Sequence, residues 1–159
     1  MAEMQKITPN LWFDTEAEEA ANFYTSIFEN SKVLRVMHYG EAGPRPAGMV
    51  MTATFQLEGQ EFTALNGGPE FKFNEAISLL VNCESQEEVD RLWDTLSEGG
   101  EEGPCGWLKD KFGVSWQIAP TVLEEMLQDE DADKANRVMK AMLQMGKIEI
   151  DALEKAYAG

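Results

Sequence analysis

The chain has 159 residues, 43% of them apolar, with 29 acidic against 13 basic side chains and a formal net charge of −16. This length suits about one domain with a real hydrophobic core. The negative charge disfavours nucleic acids and anionic membranes as partners, and no apolar stretch approaches the roughly 20 residues that a membrane-spanning helix needs. The N-terminus lacks the pattern of a secretory signal, so the sequence predicts a cytoplasmic protein.

The first predicted elements are a strand and an amphipathic helix. An apolar run over residues 7–13 leads to Thr15 and Glu18, whose spacing predicts a capping box. Apolar side chains then recur with helical spacing at Ala17, Ala20, Ala21, Tyr24, Ile27 and Phe28. Three more strands are predicted at 32–39, 49–57 and 60–66, with a tight turn at 58–59 and a candidate lid at 40–46.

The same order of elements returns in the second half of the chain. A run at 77–81 precedes a second capping-box spacing at Ser85 and Glu88. The helix that follows has one apolar face, made of Val89, Leu92, Trp93 and Leu96. Clear strands are predicted at 106–110 and 114–119, and a weak one near 101–104. The sequence therefore predicts an α+β protein with two β-α-β-β-β modules, at 6–66 and 75–119, in a domain of residues 1–120.

The tail, residues 121–159, differs in composition and predicts two or three short helices, split near Asp129 and Gly146, in the same structural unit. A methionine stripe at Met139, Met142 and Met145 is typical of an apolar core or a subunit interface rather than of a cofactor site.

The most informative stretch is residues 106–118, which predict a hairpin whose three-residue loop ends at Gly113. That register pairs Trp107 with Gln117, Leu108 with Trp116, and Lys109 with Ser115. The apolar face, Val114, Trp116 and Ile118, suits packing on helices. The opposite face carries Trp107, Lys109, Ser115 and Gln117, which suits either a ligand cavity or a solvated outer surface.

Other polar candidates allow more than one interpretation. Asn66, at the end of a strand, is either an orienting amide for a ligand or a turn residue. Asp110 is predicted to cap the hairpin turn rather than to act as a general base. The sole histidine, His38, lies on a strand without other candidate ligands, and Cys83 and Cys105 are predicted to be thiols outside any metal or redox motif.

Residues 9–13 (PNLWF), 18–24 (EEAANFY) and 106–117 (GWLKDKFGVSWQ) resemble the PhnB-like family of the glyoxalase, bleomycin-resistance and dioxygenase superfamily, also called the vicinal-oxygen-chelate superfamily. The resemblance covers about residues 6–120, and the helical tail fits the same subfamily. It implies two curled mixed sheets, each around a cavity, with a homodimer bordering the site.

In metal-dependent members of the superfamily, side chains from the first and last strands of each module hold a divalent ion. The matching positions here lie near Pro9, near Ala64 or Leu65, near Ala76, and at Gln117. Only Gln117 could contribute a ligand, so we expect no metal and no cofactor. Relatives often carry the label of a demethylubiquinone methyltransferase, but no Gly-rich turn follows the first strand.

The resemblance and the missing ligands together predict a protein that binds a small molecule. The candidate cavity residues are Trp107, Lys109, Ser115, Gln117 and Asn66. The alternative is a lyase, isomerase or dioxygenase-like enzyme of the same superfamily, either metal-free or with an atypical metal site. A third hypothesis makes the tail a protein-interaction surface.

Overall fold

The computed structural model describes residues 4–159, which form two compact units, the first ending at Phe73 and the second beginning at Asn74. The first unit contains β1 (Asn10–Phe13), α1 (Ala17–Ile27), β2 (Lys32–His38), β3 (Val50–Leu57) and β4 (Gln60–Asn66). The second contains β5 (Ser78–Cys83), α2 (Gln86–Ser97), β6 (Glu101–Glu102), β7 (Trp107–Lys109), β8 (Ser115–Pro120), α3 (Thr121–Leu127), α4 (Ala132–Leu143) and α5 (Ile150–Ala158). The predicted α+β class and the repeated β-α-β-β-β order are confirmed.

The two sheets share one topology, which confirms the internal repeat. Their strand orders are β1-β4-β3-β2 and β5-β8-β7-β6, so in each unit the first strand lies beside the last. That pair is parallel and the other pairs are antiparallel. Each sheet is therefore mixed and open, with one face covered by the helix of its own module. The division between units falls between the modules and places the tail with the second, so the predicted domain of residues 1–120 stays a prediction.

Helix α1 packs its small buried face on the first sheet, with Tyr24 fully buried and its ring 6.0 Å from that of Phe55. The predicted capping box at Thr15 is wrong. The N-cap is Glu16, which makes no capping bond with its side chain. Instead Ala17 N donates to Asn66 Oδ1 at 2.8 Å, so an amide from the end of β4 satisfies the first free N–H of the helix.

The second module follows the sequence prediction closely. Ser85 Oγ accepts from Glu88 N at 3.2 Å and caps α2, as predicted. The predicted hairpin register is also confirmed, with Trp107 opposite Gln117 and Lys109 opposite Ser115. The turn needs glycine because Gly113 has a φ of +90°, a conformation that side chains disfavour. The predicted apolar face of Val114, Trp116 and Ile118 is buried.

The three tail helices form their own apolar cluster, built on Leu123, Met126, Val138, Ile148 and Leu153. Met142 and Met145 pack against this cluster, whereas Met139 is 39% exposed, so the predicted methionine stripe is largely core. No helix within residues 4–159 is long and apolar enough to cross a membrane.

Hydrogen bonds tie the tail to α2 and to the segment between β6 and β7. Gln86, at the start of α2, donates through Nε2 to Ile148 O at 3.0 Å and accepts at Oε1 from Ile150 N at 2.7 Å. Cys105 N and Gly106 N donate to the carbonyls of Met145 and Gly146, each at 2.8 Å. The tail therefore holds the segment that leads into β7.

Candidate functional site

A pocket of about 570 Å³ lies in the second unit, within the range of about 300–1,000 Å³ typical of small-molecule sites. Its walls come from the loop before β5, from β6 to β7 with the connecting segment, and from the start of β8. The lining residues are Glu75, Glu101, Glu102, Gly103, Pro104, Cys105, Trp107, Leu108, Lys109 and Ser115.

Three of the five predicted cavity residues meet at this pocket: Trp107, Lys109 and Ser115. They share a sheet face because side chains alternate along a strand and because Lys109 pairs with Ser115 across the hairpin. The neighbouring residues Leu108 and Trp116 are buried. The hairpin thus has one face in the core and one at the pocket.

Ser115 is the most unusual group in the pocket wall. It is only 1% exposed, and its Oγ has no hydrogen-bond partner among residues 4–159. A buried hydroxyl without a partner costs about 1–3 kcal/mol, so native proteins seldom retain one without water or ligand. A hydroxyl group both donates and accepts hydrogen bonds, and Ser115 is one of the residues that line the pocket.

The charged side chains of the wall are partly paired. Lys109 Nζ forms an ion pair with Glu75, and their side chains are 37% and 59% exposed. The hydrogen bond from Lys109 lowers the pKa of the Glu75 carboxyl, and the same bond raises the pKa of Lys109. Because water screens such an exposed pair, its contribution to stability is small. Because both pKa shifts favour the charged forms, Glu75 and Lys109 stay ionised at neutral pH.

The remaining wall residues include two carboxylates and a strained segment. Glu102 Oε1 accepts from Trp93 Nε1 at 3.0 Å, which directs this carboxylate toward α2. Glu101 pairs with Lys109 in the β6–β7 register. Half-buried Cys105 and its neighbour Gly106 both have positive φ angles, 58° and 85°, and the bonds from the tail hold them there.

Gln117 lies on the same strand as Ser115 but not in the pocket lining. Its Nε2 donates to Ser78 Oγ at 2.9 Å across the parallel β5–β8 pair. The side-chain amide of Gln117 therefore has a partner on the neighbouring strand. To bind a ligand through Nε2, Gln117 would have to give up its hydrogen bond to Ser78.

Asp110 caps the hairpin turn, as predicted. It is 2% exposed, and its Oδ1 accepts from Phe112 N at 2.9 Å and from Val114 N at 3.1 Å. Its Oδ2 accepts from Trp116 Nε1 at 2.9 Å, a bond that sequence spacing did not indicate. These bonds hold the turn whose next strand begins with Ser115.

Asn66 lies in the first unit, 2% exposed, and its amide bonds to backbone on both sides. Oδ1 accepts from Ala17 N, and Nδ2 donates to Val50 O at 3.0 Å. The backbone carbonyl of Asn66 accepts from Tyr39 Oη at 2.7 Å. This geometry favours the interpretation of Asn66 as a residue that fixes a strand end. His38, also in the first unit, is exposed on β2.

The candidate lid of residues 40–46 is tied to the end of β1. Arg45 donates to the carbonyl of Asp14, and its Nη2 lies 3.2 Å from Asp14 Oδ1. The glycine and proline residues of this segment predict a loop. The sequence around Arg45 and Asp14 does not predict the ion pair that anchors it.

Sequence reasoning missed Glu75, Glu101 and Cys105 as pocket residues. Glu75 lies in the segment before β5, and β6 has only two residues, too few for any periodicity to reveal a face. Only the weak strand near 101–104 indicated that this segment joins the sheet. Glu101 pairs with Lys109 in the β6–β7 register, and this pairing places Glu101 at the pocket.

The donor set does not fit the metal site of metal-dependent superfamily members. Within residues 4–159, no group of three or more His, Cys, Asp and Glu side chains is arranged to hold an ion. At the matching positions, Ala64 is a buried methyl group, and Gln117 is bonded to Ser78.

The family model described as 3-demethylubiquinone-9 3-methyltransferase matches residues 5–119. A PhnB protein from Bacillus cereus is 42% identical, with a TM-score of 0.66, over 74% of this chain and 100% of its own. A Pseudomonas aeruginosa protein is 23% identical, with a TM-score of 0.60 over 74% and 98%. The fosfomycin resistance protein FosX of Listeria monocytogenes is 17% identical, with a TM-score of 0.58 over 80% and 100%. The last two show the fold alone, and no curated protein matches the chain.

The residues after β1 do not fit the methyl-donor cofactor that the description of the family implies. Such a cofactor is approached by backbone amides at a Gly-rich turn. Here Asp14, Thr15 and Glu16 follow the strand, and the first amide of α1 is occupied by Asn66. The family match also ends before the tail helices begin.

Proposed function

This chain belongs to the PhnB-like family of the glyoxalase, bleomycin-resistance and dioxygenase superfamily, and on that premise we propose that it binds a small molecule in the pocket of its second unit. One observation carries the proposal: a buried hydroxyl without a partner, Ser115 Oγ, in the wall of a pocket of about 570 Å³. Unsatisfied buried polar groups are uncommon in native folds, and a ligand-binding role explains this one.

Each wall group has a defined contribution in this proposal. The half-buried indole of Trp107 provides an apolar surface on which a flat ligand stacks. Ser115 orients the ligand through one hydrogen bond. Lys109 and Glu75 form an exposed ion pair at the rim, where a polar group of the ligand replaces one of the two partners. An apolar body with a few polar contacts is the ordinary design of a small-molecule site.

Thermal-shift and calorimetric screening of a fragment library against the whole protein tests the proposal. Fragments that bind the parent protein are compared with Ser115→Ala and with Ser26→Ala, a matched change at an exposed position on α1. We expect Ser115→Ala to weaken binding by about tenfold, the value of one hydrogen bond, and Ser26→Ala to leave it unchanged.

The stability of the free protein provides the second half of this test. Because Ser115→Ala removes an unsatisfied hydroxyl, we expect the ligand-free variant to be as stable as the parent or up to about 2 kcal/mol more stable. A variant that loses stability while all fragments bind it normally would show that Ser115 is structural, and would remove the observation on which the proposal rests.

We also propose that the protein acts in the cytoplasm as a homodimer. Its two cysteines are free thiols, which suits a reducing compartment. Several large apolar side chains are exposed, among them Met37 and Phe71 in the first unit and Ile77, Leu80 and Leu143 in the second. Light scattering of the purified protein tests the oligomeric state, and a monomeric mass at micromolar concentration would contradict it.

A further inference from the structure

We infer that the pocket of the second unit selects a cationic ligand, one that joins an aromatic body to a protonated amine. This inference rests on the proposed function and adds the chemical class of the ligand. Its first basis is charge: the wall holds three carboxylates, Glu75, Glu101 and Glu102, and one ammonium group, that of Lys109.

The carboxylates are not all neutralised. Lys109 pairs with Glu75, so one positive and one negative charge cancel. The bond from Trp93 to Glu102 comes from a neutral donor and leaves that charge in place. Among residues 4–159, no basic side chain forms an ion pair with Glu101 or Glu102. The wall therefore keeps two negative charges, which attract cations and repel anions.

The aromatic part of the inference rests on Trp107. Trp107 lines the pocket and is half-buried, and its ring packs on no other aromatic ring within the part of the chain that the structure describes. An indole face attracts cations and stacks with flat rings, and tryptophan is the strongest side chain for the first interaction. The indole ring of Trp107 therefore favours a ligand that has both an aromatic ring and a protonated amine.

A second, independent feature points to a ligand at the same place. The buried, unpaired Ser115 Oγ lies in the same pocket wall as the acidic residues and Trp107. A hydroxyl oxygen accepts from an ammonium group as readily as it donates to a neutral one, so Ser115 is compatible with the class that the carboxylates select. The net charge of the whole chain, −16, reinforces the local field.

Three probes with one aromatic body separate the charge classes: 2-naphthylmethylamine, 2-naphthylmethanol and 2-naphthoate. Binding to the whole protein is measured by calorimetry at pH 7 and low salt, and again at 1 M salt. We expect the amine to bind about tenfold more tightly than the alcohol, and the acid to bind most weakly. The advantage of the amine shrinks at 1 M salt, where the Debye length falls to about 3 Å.

Matched variants locate the effect. Glu101→Gln keeps the shape of an exposed side chain and removes one charge from the wall. We expect it to weaken binding of the amine about fivefold and to leave binding of the alcohol unchanged. Glu125→Gln makes the same charge change on α3, outside the pocket lining, and should alter neither.

The outcomes also separate this inference from the proposed function. If the alcohol or the acid binds as tightly as the amine, or if Glu101→Gln has no more effect than Glu125→Gln, the inference is overturned while the pocket remains a binding site. If none of the three probes binds, the inference is likewise overturned, and the fragment screen with Ser115→Ala decides the proposed function by itself.

Discussion

Asp110 offers a direct test of how the hairpin holds Ser115 in place. Replacing it with alanine leaves three donors without their acceptor: Phe112 N, Val114 N and Trp116 Nε1. The bonds of Val114 N and Trp116 Nε1 are buried and that of Phe112 N is partly buried. Each unpaired buried donor costs about 1–3 kcal/mol, so we expect Asp110→Ala to lower the free energy of unfolding by about 3–5 kcal/mol. Asp94→Ala, an exposed change on α2, should stay within about 0.5 kcal/mol.

The assay is urea unfolding at pH 7, followed in parallel by far-UV circular dichroism and tryptophan fluorescence. A double-mutant cycle isolates the bond between Asp110 and the indole of Trp116 by combining Asp110→Asn with Trp116→Phe. We expect a coupling energy of about 1.5–3 kcal/mol, the range for a hydrogen bond to a charged group. If the two changes add to within about 0.5 kcal/mol, or if Asp110→Ala is no worse than Asp94→Ala, the reasoning about this turn is refuted.

Three further predictions concern other parts of the chain. Gln86→Ala removes both bonds to the tail, so we expect a loss of about 1–3 kcal/mol and faster amide exchange over residues 145–150, measured by mass spectrometry. Asn66→Ala leaves the amide of Ala17 and the carbonyl of Val50 unpaired, and urea unfolding should show a loss of about 2–4 kcal/mol. Burial raises the pKa of the Cys83 thiol to about 12, so at pH 8 a thiol reagent should label half-buried Cys105 far faster than Cys83.

Each of these has a contrary result. Equal protection of residues 145–150 in the parent and in Gln86→Ala would mean that Gln86 does not anchor the tail, and Gln144→Ala, an exposed change, is the control. A fully stable Asn66→Ala would point to a role other than capping. For the thiols, Cys83→Ala and Cys105→Ala leave one cysteine each, and equal labelling rates in the folded state would contradict the burial argument. The raised pKa also implies that Cys83 lowers stability as the pH rises above about 9, where only the unfolded chain ionises this thiol.

Local patterns predicted the parts of the fold that short-range physics controls. Side-chain alternation and the glycine at 113 were enough to give the hairpin register, because a one-residue slip would expose Trp116 and bury Lys109. The cap at Ser85 was also predicted, since its acceptor and donor lie three residues apart. The hairpin is where the predicted site residues Trp107, Lys109 and Ser115 were found together.

Long-range contacts explain what the sequence did not reveal. Thr15 has the spacing of a capping residue, but the bond from Ala17 N goes to Asn66, which lies 49 positions after Ala17. Periodicity could not show this competition, since it depends on how β4 ends beside α1. The acidic wall of the pocket was missed for the same reason, because Glu75 and Glu101 reach it from segments without a repeating pattern.

The most direct test of the central claim is an NMR titration of the ¹⁵N-labelled protein with the tightest fragment from the screen. The chain has four tryptophans, so Trp107→Phe identifies the indole signal of Trp107 among the four. Binding at the proposed pocket predicts shifts at that indole and at the amides around Ser115, and an about tenfold higher Kd from the same shifts in Ser115→Ala. Shifts confined to the other three indoles, or unchanged binding in Ser115→Ala, would contradict the proposal that this pocket is the site.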